Sequence, residues 1–151
     1  MAKVSTKDRI LDAALTLFSE RGYDGASVDQ IAEIVGIKGP SLYRHYKGKE
    51  DILDHLIEKL TEHYETNFGV ASKVDRVPAS MEELIASSMG RISFTTHDPI
   101  IIKTRKLLMI EQFRNPRLAA LATKHNLTGL ENLYTVIFEK MMEAGTLKKE
   151  D

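Results

Sequence analysis

The stretch that decides the fold is Ser27-Val-Asp-Gln-Ile-Ala-Glu-Ile-Val-Gly-Ile-Lys-Gly-Pro-Ser-Leu-Tyr-Arg-His-Tyr-Lys-Gly-Lys49. Its first half has the apolar spacing of a short helix, with Ser27 as the N-cap and a glycine as the stop. The next helix, the third of the chain, is predicted to begin at Pro40, because the proline ring presets φ and its missing N–H is not needed there. Leu42 and Tyr46, four residues apart, would face inward. Two short helices joined by a tight glycine-containing turn, with a helix before them, are the layout of a helix-turn-helix.

The charge of the chain is unevenly distributed along its length. The 151 residues carry 21 Lys and Arg against 22 Asp and Glu, a net charge of −1. Residues 36–49, which we call the basic segment, contain no acidic residue. A local excess of positive charge is the electrostatic footprint expected for a phosphate backbone. The basic side chains of this segment are Lys38, Arg44, His45, Lys47 and Lys49.

Helical spacing separates two faces of this third helix. If Leu42 and Tyr46 face inward, the residues between them face outward, and these offer a hydroxyl, a phenol, a guanidinium and an imidazole. Such groups suit contacts with phosphates and base edges. The alternative is a surface helix with ordinary polar residues. The outward-facing residues are Ser41, Tyr43, Arg44 and His45.

The rest of the chain also has helical periodicity, and no segment is typical of a strand, so the predicted fold class is all-α. A first helix is expected over about residues 6 to 21 and a fourth over about residues 49 to 68, followed by a loop to about residue 79. Ser80 and Glu83 form the capping-box pattern that opens a fifth helix. Asp98-Pro99 opens a sixth, to about residue 114, and Asn115-Pro116 opens a seventh, to about residue 144. The sixth helix is apolar nearly all round, which is typical of an interior or an interface.

Several classes of function are disfavoured by composition. The absence of cysteine excludes a disulfide scaffold, thiol catalysis and Cys-ligated metals. No apolar run approaches the ~20 residues that span a bilayer, and the first residues lack a signal-peptide core. A soluble, cytoplasmic protein without membrane association is therefore expected. The five histidines form no recognised metal pair, and neither a glycine-rich phosphate loop nor a nucleophilic Ser elbow is present. We expect neither an enzyme nor a cofactor or metal.

Three motifs resemble the N-terminal domain of TetR/AcrR-type transcriptional regulators across residues 14–53. They are Ala13-Ala14-x-x-Leu17-Phe18-x-x-x-Gly22-Tyr23, Ser27-Val28-x-x-Ile31-Ala32-x-x-x-Gly36-Ile37 and Ser41-Leu42-Tyr43-x-His45-Tyr46-x-x-Lys49-Glu50-x-Ile52-Leu53. The resemblance implies a helix-turn-helix domain over residues 1–48 and a helical ligand-binding and dimerisation domain over residues 49–151. It also implies a ligand-responsive regulator, most often a repressor, that binds double-stranded DNA at a palindromic operator as a homodimer. A small, largely apolar inducer would release it.

The same resemblance assigns roles to individual positions of the basic segment. Ser27 would cap the second helix and touch phosphate, and Lys49 would contact phosphate. The family's usual Ser-Lys-Gly at the start of the third helix is here Lys38-Gly39-Pro40, so the base contact usually made at Gly39 is lost. Pro40 can still press against a thymine methyl. Lys38 and Arg44 become the candidates for reading sequence, with Arg44 bidentate to guanine. Ser41, Tyr43 and His45 would meet phosphates or bases, and the predicted DNA-binding set also includes Lys47.

The resemblance further implies an inducer cavity in the later helices. Aromatic and methionine residues at helical spacing are candidates to line it, although core packing is the alternative for each. The polar candidates are better ones if they prove to be buried. The candidates are His63, Tyr64, Phe68, Met109, Gln112, Phe113, His125, Asn126, Tyr134, Phe138, Met141 and Met142.

The C-terminal part departs from the family pattern. After a segment like residues 143–147, family members usually continue through two helices that build the dimer interface. The chain is therefore expected either to be truncated or to dimerise through its sixth helix and the Met-rich end of its seventh. The alternative function is a helical protein-interaction module that has lost DNA binding, against which the retention of Tyr43, His45 and Lys49 argues.

Overall fold

A computed structural model describes residues 4–148, and within this range the regular structure is entirely helical. Most of the helices follow the order and the approximate bounds expected from the sequence, which confirms the all-α fold. A 3₁₀ turn at Ala71–Lys73 and a π-helical turn at Lys124–Thr128 interrupt the α-helices. The α-helices are α1 Thr6–Arg21, α2 Val28–Val35, α3 Gly39–Leu42, α4 Lys49–Phe68, α5 Met81–His97, α6 Pro99–Glu111, α7 Pro116–Thr123 and α8 Gly129–Glu143.

The helix-turn-helix is formed by α2 and α3. The Ser27 hydroxyl accepts the Gln30 N–H at 3.2 Å, and the Gln30 side chain accepts the Ser27 N–H at 3.0 Å. This reciprocal capping box satisfies two N–H groups that the helix itself leaves unpaired. The helix stops at Gly36, which adopts the left-handed conformation with φ 74°. Ser27 is thus the N-cap that the sequence predicted.

Helix α3 is shorter than the spacing of its apolar residues predicted. Regular α-helix ends at Leu42, and the chain then tightens, since the Arg44 N–H bonds to the Ser41 carbonyl at 3.3 Å and that of His45 to Leu42 at 2.8 Å. These i to i+3 bonds are the tighter turns common at helix ends. The turns after Leu42 still place Tyr46 on the same side as Leu42, so both side chains are buried. Leu42 is 0% exposed and Tyr46 is 2% exposed.

The main core joins the predicted N-terminal domain of residues 1–48, which we call the head, to the rest of the molecule. Phe18 of α1, Leu42 of α3 and Leu53 of α4 belong to the same buried cluster as Leu107 of α6 and Leu118 of α7. All five side chains are fully buried. The predicted boundary at residues 48 and 49 therefore runs through a shared core, so the head has a fixed base on α4, α6 and α7.

A second core lies at the far end of α4. It packs the C-terminal half of α4 against α5, α6 and α8, and it supports the cavity described below. Met141 is 0% exposed and belongs to this core. The core comprises Tyr64, Phe68, Leu84, Ile101, Leu133, Ile137 and Met141.

Two local expectations are corrected by the structure, and a third is made more specific. The seventh helix is not continuous, because the π-helical turn divides it into α7 and α8. The capping box at Ser80 is half formed: the hydroxyl accepts the Glu83 N–H at 3.2 Å, whereas the Glu83 carboxylate accepts from Ala79 at 2.9 Å. The sixth helix is buried on one side only, since Leu107 is buried and Met109 is 68% exposed. No helix within residues 4–148 is long and apolar enough to cross a membrane.

Candidate nucleic-acid interface and connected cavity

We call residues 38–47, which comprise α3 and the residues on either side of it, the recognition segment. Its outer face has the composition that the sequence predicted. Tyr43 is 55% exposed, Arg44 is exposed, and Ser41 and His45 are half-buried. Leu42 and Tyr46 lie on the opposite, buried side. The division between a packing face and an outward face is therefore confirmed. The phenol and the guanidinium are the two largest groups that the segment offers to a partner.

The exposed cations of this face form no ion pairs within the part of the chain that the structure describes. Lys38, Arg44 and Lys47 are exposed, and the ion pairs formed within residues 4–148 include none of them. Pro40 and Ser27 are exposed beside them. Unpaired cations on one edge give the local positive potential that attracts phosphate groups.

Lys49 lies differently from the other cations. Its ammonium donates to the carbonyl oxygens of Tyr23 at 2.7 Å and Ala26 at 2.9 Å, and it sits 4.3 Å from the centre of the Tyr23 ring. An ammonium has three N–H donors, so one remains for a phosphate. The phosphate contact expected of Lys49 stays a prediction, and in the structure its ammonium also anchors the loop between α1 and α2.

Tyr23 is the centre of the contacts that connect the head to the helical domain. Its phenol donates to Glu50 at 2.6 Å, and its ring packs edge-on against Phe18 at 5.3 Å. Arg117 of α7 holds the same Glu50 at 2.5 Å and also pairs with Asp54. The hydrogen bonds from Tyr23 and Arg117 lower the pKa of the Glu50 carboxyl. Burial and the bond to Glu50 raise the pKa of Tyr23.

A buried carboxylate at the end of α6 completes this connection. Glu111 is 4% exposed, and its Oε1 accepts the backbone N–H of Tyr23 at 2.9 Å. The neighbouring Gly22 has φ 75°, and a Cβ at that position would lie 2.7 Å from the same oxygen. Sequence reasoning missed Glu111, because a glutamate after an apolar run is usually exposed.

A cavity of about 280 Å³ lies between α4, α5, α6, the π-helical turn and α8. Five of the residues predicted to bind a ligand line it: Tyr64, Phe68, Met109, Gln112 and His125. Asn126, also considered in the sequence, lines it too. The sequence did not identify the other lining residues, which are Ile92, Thr95, Ile101, Thr104, Arg105, Leu108 and Leu130.

The remaining ligand candidates lie elsewhere. Tyr134 and Phe138 line an adjacent open groove between α5 and α8 rather than the cavity. His63 contacts Asp98 at 3.0 Å, where it supports the N-terminus of α6. Phe113 is 90% exposed, because it follows the last turn of α6. Met141 is a core residue, and Met142 is half-buried outside the cavity lining.

His125 is the most unusual residue of the cavity. It lies in the π-helical turn, is 9% exposed, and stacks on Tyr64 at 4.0 Å with an interplanar angle of 11°. The Tyr64 hydroxyl donates to the His125 carbonyl at 3.0 Å. Its buried Nε2 has no hydrogen-bond partner within the described residues. Burial, reinforced by the charge of Lys124, lowers the pKa of His125 to about 4, so its imidazole is neutral at pH 7.

This pKa predicts a specific acid sensitivity. The unfolded chain protonates His125 near pH 6.5, whereas the folded protein resists protonation until about pH 4. The unfolding free energy should therefore fall as pH decreases through this window, by about 3 kcal/mol from this residue. We expect His125→Phe to lose less stability than the native chain between pH 6.5 and pH 4, measured by urea denaturation at stepped pH. Parallel pH curves for the two proteins would contradict the assignment.

One helix contacts both the cavity and the head. Leu108 and Met109 of α6, with the C-cap Gln112, line the cavity, while Glu111 holds the loop after α1. Leu107 and Leu108 belong to the apolar core that α6 shares with α1. The same helix therefore contacts both the cavity and the loop that leads to α2.

The comparisons with known proteins agree with this architecture. Residues 10–56 match the family model described as bacterial regulatory proteins, tetR family. The biofilm operon icaADBC HTH-type negative transcriptional regulator IcaR of Staphylococcus epidermidis is 42% identical in a match of 124 positions, and the match covers 63% of this chain and 67% of that protein.

Two solved structures share the fold over almost the whole chain. MexZ of Pseudomonas aeruginosa, described as a key repressor responsible for antibiotic resistance, gives a TM-score of 0.72 at 22% identity, covering 95% of this chain and 70% of that one. AibR, solved in complex with isovaleryl coenzyme A and operator DNA, gives 0.65 at 22% identity, covering 97% and 77%. The family model, the IcaR relative and the helix-turn-helix with its attached helical domain together establish that this chain belongs to the TetR family of bacterial transcriptional regulators.

Proposed function

We propose that this chain is a repressor that binds a palindromic operator as a homodimer and is released when a small molecule occupies the cavity. In this proposal residues 1–48 are the DNA-binding domain and residues 49–151 the ligand-binding and dimerisation domain. The observation that carries it is the coexistence of an exposed cationic face and a cavity on one connected framework. Repression is the activity that the name of the IcaR relative states for that protein.

The DNA-binding role is supported by the charge and shape of the recognition segment. Lys38, Arg44 and Lys47 are exposed and form no ion pairs within the described residues. Tyr43, which lies between them in the sequence, is exposed as well. In a helix-turn-helix the second helix enters the major groove with its early residues at the bases. Ser27, Pro40, Ser41, His45 and the remaining donor of Lys49 complete the proposed DNA-binding set.

The ligand-responsive role is supported by the position of α6. AibR, which shares the fold, was solved with both a small molecule and operator DNA. Here a ligand in the cavity would contact Met109 and Gln112, on either side of Glu111 and its bond to Tyr23. A ligand shifts the equilibrium only if it prefers one position of α6 over another.

The proposed dimer is supported by an exposed apolar row on α5. Ile85, Met89 and Ile92 lie three or four residues apart and are 58%, 59% and 53% exposed. Such spacing places them on one helical face, and contiguous exposed apolar surface marks interaction sites. We place the interface here rather than on the Met-rich end of α8, because Met141 is buried.

Two single variants test the DNA-binding proposal. Tyr43→Ala should weaken binding to all duplexes alike, because we assign this phenol to the sugar–phosphate backbone. Arg44→Ala should weaken operator binding by roughly 1–3 kcal/mol and relax the preference at one base pair, because a bidentate guanine contact is lost. Fluorescence anisotropy with a series of single-base operator variants measures both effects. An Arg44→Ala protein with unchanged affinity and base preference would contradict the assignment.

A further inference from the structure

The charge of the cavity lining has one sign. Among the thirteen residues that line it none is acidic, and Arg105 is the one permanently charged residue. Arg105 is exposed, and one of its N–H groups donates to the Thr95 carbonyl at 2.5 Å. A guanidinium has five N–H donors in a planar fork that matches a carboxylate. The remaining donors of Arg105 are therefore available to an anion at the mouth of the cavity.

Of the nearby acidic groups, two are paired with other residues, and Glu131 lines the adjacent open groove rather than the cavity. Glu65 on α4 is bonded to Lys124 at 2.6 Å, and the Glu111 carboxylate accepts the Tyr23 N–H. Neither residue lines the cavity. A cationic ligand would therefore meet Arg105 without a compensating carboxylate, and like charges repel one another.

The inner walls of the cavity are apolar and aromatic. Tyr64 and Phe68 stack on each other at 4.8 Å, and Tyr64 also stacks on His125. Ile101 and Leu108 add buried aliphatic surface. These walls suit a flat or branched apolar body.

His125 lines the cavity, but its unpartnered Nε2 has almost no accessible surface, so this nitrogen does not face the space that a ligand would fill. The polar recognition of a ligand is therefore assigned to Arg105. A π-helical turn is itself frequent at functional sites.

We propose that the cavity binds a small monoanionic organic acid whose carboxylate pairs with Arg105 and whose apolar body lies against Tyr64 and Phe68. The volume of about 280 Å³ is near the lower end of the ~300–1,000 Å³ of ligand pockets, which limits the acid to a small one. This inference rests on the proposed function, because it names the chemical class of the inducer.

Three probes of one shape and different charge test it. Phenylacetate, phenylacetamide and phenethylamine share a ring and a short chain but are anionic, neutral and cationic at pH 7.5. Calorimetric titration of the full chain should rank the acid first, at least tenfold tighter than the amide, with no measurable binding of the amine. Arg105→Gln should remove the preference for the acid over the amide. Lys106→Gln, on the same helix but outside the cavity, should leave that preference unchanged.

His125→Phe is a second control. The variant keeps a stacking ring and leaves the charge of the lining unchanged at pH 7.5, so it should leave the preference for the acid over the amide unchanged. Equal or tighter binding of the amine, an unchanged ratio in Arg105→Gln, or no binding of any probe at millimolar concentration would overturn the inference. Anisotropy with operator DNA on the same samples distinguishes this failure from failure of the proposed function, because DNA binding by the unliganded chain does not depend on the class of ligand.

Discussion

Replacing Gly22 with alanine is expected to lower the unfolding free energy by about 3–5 kcal/mol, one of the largest effects of any single substitution in this chain. Two causes act together. Gly22 has φ 75° and ψ 170°, a region that is essentially restricted to glycine and strained for other residues. A Cβ would also lie 2.7 Å from Oε1 of Glu111, and this buried carboxylate would have to release the Tyr23 N–H. Urea denaturation followed by circular dichroism measures the loss.

Gly36→Ala is the matched control. Gly36 has nearly the same φ, 74°, but lies in the left-handed helical region, and a Cβ added there would meet no atom within 4 Å. Its replacement should cost only about 1–2 kcal/mol. In a Glu111→Ala background the close contact is absent, so Gly22→Ala should cost less there than in the native chain. Equal losses for Gly22→Ala and Gly36→Ala would show that Glu111 does not constrain the loop.

Removing three charges from the basic segment should have the largest effect on function. The variant with Lys38, Arg44 and Lys47 all changed to Gln keeps polar side chains at these positions but loses three exposed cations per head. Operator affinity should fall on the order of a hundredfold or more at ~50 mM salt. The slope of log K against log salt should become shallower by ~0.9 for each phosphate contact removed. Anisotropy titrations at stepped salt concentrations give both quantities.

A second triple variant controls for the change in net charge. Lys73, Arg76 and Lys106 are exposed on other helices and loops, and changing them to Gln removes the same three charges. This protein should keep both the affinity and the salt slope of the native chain to within a few-fold. If the two triple variants lost affinity equally, the interaction would depend on net charge rather than on the recognition segment.

Local sequence patterns predicted those features that depend on neighbouring residues. Ser27 was predicted as an N-cap, and the structure adds the reciprocal bond with Gln30, three residues along the chain. The burial of Leu42 and Tyr46 follows from helical periodicity. The acid-free basic segment is likewise visible in the sequence. These features also carry the family resemblance, which is why the head was predicted more completely than the rest.

Features that depend on distant residues could not be predicted. The ammonium of Lys49 finds carbonyl groups more than twenty residues away, and Glu111 reaches a backbone N–H 88 residues away. No spacing rule describes such contacts. Gly129, which directly follows the π-helical turn, could have been noticed in the sequence as a glycine inside a helical pattern. The structure explains it, because a Cβ on Gly129 would lie 2.5 Å from the Lys124 carbonyl oxygen.

Cavity residues were predicted only in part for a similar reason. Tyr64 and Phe68 lie on the buried stripe of α4 and were visible from periodicity. Phe113 has the same chemical character but follows the end of α6, where nothing covers it within the described residues. Arg105 gave no signal, because its proximity to the cavity depends on how α5 packs on α6.

The most direct test of the central claim is fluorescence anisotropy of this chain with a DNA duplex from its own upstream region and a scrambled duplex of the same composition. The titrations are made at ~50 mM and ~200 mM salt. We expect tighter binding to the native duplex, weakened at the higher salt as several phosphate contacts require. Absence of binding to either duplex at either salt concentration would contradict DNA binding and would favour a helical protein-interaction module instead.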